Sequence, residues 1–183
     1  MIMSAINMDF KVLAIAILIS LFSSLSFGNE ALAQSFLNED IKVDKAVVFL
    51  CAKSNKPLEC IGNAANQCQR IHKDGFDGGT TYGIATCLQH ERKIWDSLLS
   101  LEEEDLNRYY AEQDIISFHS DISRLESFQQ AQTSWRAHLK SECRLQLALN
   151  QEGTIRSIVA SGCELSMVAK RLLFLKKLWN KDI

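Results

Sequence analysis

The chain has 183 residues, 47% of them hydrophobic, and a net charge of −2. A near-neutral balance gives no support to nucleic-acid binding, and the length suits one domain with its own core.

Residues Val12 to Asn29 carry no charge and are rich in Val, Leu, Ile, Ala, Phe and Ser. Lys11 precedes them, and Ala31-Leu32-Ala33 forms a small-x-small site before Gln34. That order is the pattern of a secretory signal peptide, so cleavage is expected after Ala33, with translation starting at Met1 or Met8. The competing reading is an uncleaved anchor, since 18 uncharged residues sit at the lower limit for a membrane span. The expected mature chain, Gln34 to Ile183, has a net charge of −1, is periplasmic or secreted, and makes no use of a membrane.

All six cysteines (51, 60, 68, 87, 143 and 163) fall in that mature part. An even count in an exported chain reads as a disulfide framework, although many pairings are open. Metal binding is the rival reading, but there is no CxxC, HxxxH or HExxH. His90-Glu91 begins a zinc-like pattern that Ile94 ends. No metal and no cofactor is expected.

Asp44 to Lys53 is a short apolar segment expected to be helical, followed by a turn at Ser54 to Pro57. A helix over about Leu58 to Ile71 would place Cys60 and Cys68 on roughly one face, because they stand eight residues apart. Lys73 to Thr81 holds three glycines and two aspartates and reads as a loop. Thr80 or Thr81 then caps a helix from about Tyr82 to Leu101, extending as far as Gln113 if the acidic run Glu102 to Asp105 does not break it. Its expected inner face uses Ile84, Cys87 or Leu88, Trp95, Leu98 and Leu101, with Glu91 a polar gap. The acidic run itself reads as solvated surface.

A long amphipathic stretch runs from Phe118 to Cys143, taken as the central helix after a link near residues 114–120. Phe118, Ile122, Leu125, Phe128, Trp135, Leu139 and Cys143 recur at helical spacing, which places Trp135 in the core beside Trp95. The stretch runs on to about Leu149, and a last helix from Ile155 to Leu178 is expected, with Thr154 as N-cap. No stretch alternates with period two for long enough to claim a strand. The expected fold is all-α: a small disulfide-linked bundle of four to five helices, with 1–33 a signal peptide, 34–59 an extension bearing a short helix, and 60–178 the helical domain.

Several motifs carry a family resemblance. They are Cys60-Ile-Gly-x-Ala-Ala-Asn-x-Cys68, Gly78-x-Thr-Thr-x-Gly-Ile-x-x-Cys87 and Glu91-x-x-x-Trp95-Asp96-x-x-Leu99. Ala131-Gln132-x-x-Trp135 with Cys143, Gly153-Thr154-Ile155-Arg156, and Cys163 with Ala169, Arg171 and Leu175 complete the set. In that order they resemble the lysozyme inhibitor LprI-like N-terminal domain family. The chain departs from the family pattern at Leu99-Ser100 with Glu103, at His138-Leu139-Lys140, and at Val168. The resemblance implies an exported, helical, disulfide-linked domain, and for some members inhibition of lysozyme. It also implies pairing of Cys143 with Cys163. Local loop closure would add Cys51–Cys60 and Cys68–Cys87, with exchange between Cys60 and Cys68 left open.

Two partner readings follow: lysozyme, or a different envelope protein bound by a helical interaction module. A lysozyme cleft holds two carboxylates with separate roles, so an inhibitor must fill it or pair with them. The loop residues Lys73, Asp74, Gly75, Phe76 and Asp77 are the candidate binding segment, against the plainer reading of a connection between two helices. An enzyme is not expected. Ser134, His138 and Glu142 stand four apart, but a helix-surface serine has no oxyanion donors beside it. Glu103 and Asp105 lie in a run of like charge with no apolar wall to separate their pKa values.

Overall fold

The computed structural model describes residues 41–72, 79–117 and 121–182, with side chains described up to 178. Five helices are present among them: α1 (Lys45–Ala52), α2 (Asn63–Ile71), α3 (Thr81–Ile116), α4 (Arg124–Leu149) and α5 (Arg156–Asp182). The described residues are all-α, and no helix among them is long and apolar enough to cross a membrane.

The hub is α3. It packs against each of the other four helices, most extensively against α5, while α4 lies against α3 and α5. The acidic run does not break it, because the apolar stripe continues through it to Leu106. Trp95, Leu99 and Leu106 of α3 meet Leu165, Val168, Ala169, Leu172 and Leu175 of α5 in one buried cluster that Val48 and Phe128 complete. Leu101, expected inside, points out. A smaller cluster gathers Ile41, Ala65, Cys68 and Cys87.

Four of the five helix starts have an identifiable cause. Asp44 accepts the Ala46 N–H at 2.8 Å and starts α1, and Thr80 accepts the Gly83 N–H at 3.0 Å and starts α3. The second helix begins five residues later than its pattern suggests. Gly62 takes φ +92°, a left-handed conformation that glycine adopts without a Cβ penalty, so the chain turns before α2. Cys60 therefore lies in that turn and shares no helix face with Cys68.

A similar shift affects α4, which starts at Arg124 and not at Phe118. Ser123 caps it, accepting the Glu126 N–H at 3.0 Å, and a bend at Asp121 and Ile122 leaves Ile122 exposed off the helix. Phe118 to Ser120 lie outside the described residues, as do residues 73–78 and with them the expected binding loop Lys73, Asp74, Gly75, Phe76 and Asp77.

Three disulfides close local loops: Cys51–Cys60, Cys68–Cys87 and Cys143–Cys163. The first holds the end of α1 to the turn before α2, the second α2 to the start of α3, and the third α4 to α5.

Candidate functional site

Glu91 is the most buried charged residue described, 1% exposed in the face of α3. Its carboxylate accepts the Gly62 N–H at 2.8 Å and the Ala65 N–H at 2.7 Å, both orphan donors at the start of α2. It also accepts the indole N–H of Trp95 at 3.0 Å, one turn along its own helix. Three donors and the positive end of a helix dipole compensate for burying the charge. The polar gap in the α3 stripe is thus a cap supplied from one helix to another.

Asp114, near the other end of α3, does the same for α4. It accepts the Arg124 N–H at 2.9 Å, the Leu125 N–H at 3.0 Å and the Ser123 hydroxyl at 2.7 Å. Hydrogen bonds from Leu125, Arg124 and Ser123 hold its carboxyl below the usual carboxylate range. So α3 carries the carboxylates that start two of its neighbours.

A third polar knot joins α4 to α5. Arg171 donates to the single oxygen Gln132 Oε1 from Nε at 2.9 Å and from Nη2 at 2.7 Å. Its guanidinium lies over the Trp135 ring at 5.4 Å and the Phe174 ring at 5.3 Å, both within cation–π range. Burial holds the Arg171 pKa below its usual value, with Glu103 acting the other way. Arg136 stands against the same Trp135 ring at 5.6 Å and pairs with Glu103 at 2.7 Å. Burial opposes the charge on Arg136, and Glu103 and Asp96 more than offset it, raising the pKa. Half of the acidic run is therefore not solvated surface. Glu103 is engaged across the α3–α4 seam, and burial raises the Glu102 pKa despite nearby Lys176.

Trp95 is fully buried, whereas Trp135 is partly buried: it packs against the core from its margin and lines an open cleft. That cleft, about 330 Å³, runs between α4 and α5, with His138, Met167, Lys170, Arg171 and Phe174 around it. Lys170 and Phe174 also border a second depression of about 500 Å³, whose far wall is the turn at Lys56, Pro57 and Leu58. Ser134 and His138 are exposed along α4, and no hydrogen bond joins them to each other or to Glu142. The geometry offers recognition surface: concave ground beside a partly buried aromatic ring, with Lys170 and Arg171 on its α5 side.

The fold and these features define a disulfide-braced helical scaffold with an open, cationic cleft on one side. A family model described as lysozyme inhibitor LprI matches residues 74–175. The chain belongs to that family. No curated protein and no solved structure matches it. Within the matched residues, Gln132, Trp135 and Arg171, distant in sequence, come together in space, and Glu91 and Trp95 join Gly62 and Ala65, which lie before the matched range.

The sequence marked Glu91 as a polar gap and a motif residue and Arg171 as a motif residue, and assigned a partner to neither. The one available signal was a charged or amide residue standing on an otherwise apolar stripe, which in a buried face demands a partner.

Proposed function

We propose that this chain is an exported protein that binds lysozyme and inhibits it without being an enzyme. Membership of the lysozyme inhibitor family over residues 74–175 carries the reading. The three disulfides support export, since such bonds form and persist in oxidising compartments. On this proposal residues 1–33 are removed, 34–59 form an extension, 60–178 form the inhibitor domain, and the mature protein is periplasmic or secreted. A braced scaffold loses little freedom on binding, so more of the contact energy appears as affinity. Lys73 to Asp77 remain the proposed inserting segment on sequence grounds, with Lys73 facing a cleft carboxylate.

The test is a titration of the purified mature protein against lysozymes of several types, reading binding and cell-wall lysis together. Saturable binding with loss of lysis is expected. Absence of binding to every type would overturn the proposal in favour of an envelope protein with another partner.

A further inference from the structure

The two depressions beside α5 share Lys170 and Phe174 in their walls and adjoin, giving a grooved surface between Trp135 and the turn at Lys56–Leu58. Its polar rim is strongly one-sided. Lys170, Arg171 and Lys177 come from α5, while the turn contributes Lys56 together with Glu59, the one acid among the lining residues. Glu59 is already paired with Lys56 at 3.0 Å. Lys170 and Lys177 are exposed and have no ion-pair partner among the described residues. Phe174 is 49% exposed and Leu58 62%, and both face the same depression.

From this juxtaposition we propose that the groove is a docking site for an acidic polypeptide segment, one that presents carboxylates to Lys170 and Lys177 and an aromatic or large aliphatic side chain to Phe174 and Leu58. Lys170 and Lys177 stand two turns apart on α5, about 10 Å, the span of roughly three residues of extended chain. Each depression lies in the size range of pockets that hold side chains or small ligands, which extend over ~300–1,000 Å³. Charge complementarity selects the sign of the partner, and the concave shape selects a segment over a flat surface. A nucleobase or a sugar ring is a poorer occupant, because the Trp135 ring already has the Arg136 and Arg171 guanidinium groups set against it. A membrane surface is poorer too. Interfacial binding uses a continuous apolar face, whereas Phe174 and Leu58 share this depression with Lys170, Lys177 and the Lys56–Glu59 pair. The inference goes beyond the lysozyme reading and holds whichever acidic protein supplies the segment.

The test uses the full mature chain and a fluorescein-labelled peptide of alternating Glu and Phe, followed by fluorescence anisotropy. A Gln-for-Glu peptide and phosphatidylglycerol vesicles form the comparison arms. Saturable binding of the acidic peptide that weakens with added salt is expected, with the Gln peptide much weaker. Lys170→Glu with Lys177→Glu should weaken binding by about tenfold. Phe174→Ala should weaken it without changing the salt dependence. Lys45→Glu with Lys93→Glu makes the same charge change at a different depression and should leave binding intact. Equal loss in both double variants, or preference for vesicles over the peptide, would overturn the proposal. So would concentration-dependent self-association that only the Lys170/Lys177 variant abolishes, since the occupant would then be a second copy. Lysozyme inhibition is read separately on the same variants: retained inhibition with lost peptide binding leaves the functional reading standing, and the reverse leaves the groove standing.

Discussion

The indole N–H of Trp95 donates to Glu91 Oε1 at 3.0 Å, and the same carboxylate caps α2. The largest core side chain and the start of a neighbouring helix are therefore held by one buried group.

Glu91→Ala should be among the most damaging single substitutions in the chain. It leaves two backbone N–H groups and an indole N–H without their acceptor, at ~1–3 kcal/mol for each group left unsatisfied. Chemical denaturation should show a loss of at least ~3 kcal/mol, against the ~5–15 kcal/mol that holds a domain together. Glu91→Gln keeps one acceptor oxygen and should fall between the variant and the wild type.

Trp95 and Trp135 should separate cleanly in a thermal melt. Trp95 is fully buried, so Trp95→Ala should cost ~3–5 kcal/mol. Trp135 sits at the core margin with one side on the cleft, and Trp135→Ala should cost ~1–2 kcal/mol, with further loosening of Arg171. Equal losses for both would mean that Trp135 is as much a core residue as Trp95.

Asp114 gives the stability a defined acid dependence. Its folded pKa is lowered, so its contribution is present above the usual carboxylate pKa of about 3.9 and is lost as pH falls through the lowered value. A melting temperature followed from neutral to strongly acid pH should fall in that region, and Asp114→Asn should flatten that part of the profile. The same variant should leave the α2 cap untouched, because Glu91 holds that helix independently.

Gly62→Ala tests the turn before α2. No atom stands within 4 Å of where its Cβ would lie, so the effect comes from backbone strain alone. A loss of ~1–2 kcal/mol is expected from placing an L side chain at φ +92°. Removing Cys143–Cys163 with two serines should cost ~3 kcal/mol in the chain-entropy model, since it closes a loop of sequence separation 20.

The sequence by itself determined the helical class, the apolar faces of α3 and α5, and a disulfide framework, because periodicity and cysteine count are local quantities. Helix starts were less legible. Gly62 could be read as an interior small residue until its left-handed backbone placed Cys60 in a turn. The real start of α4 depended on Asp114, nine residues before Ser123 and on another helix. Only the tertiary structure decided that α3 is the hub and that Glu91 is a cap. It alone showed that Gln132, Trp135 and Arg171 meet, and that Lys56 faces the Lys170–Lys177 ridge across a groove. The physical reason is common to the last three. A carboxylate, an amide or a cation reveals its role through what it pairs with, and these partners lie on different helices, where no spacing along the chain records them.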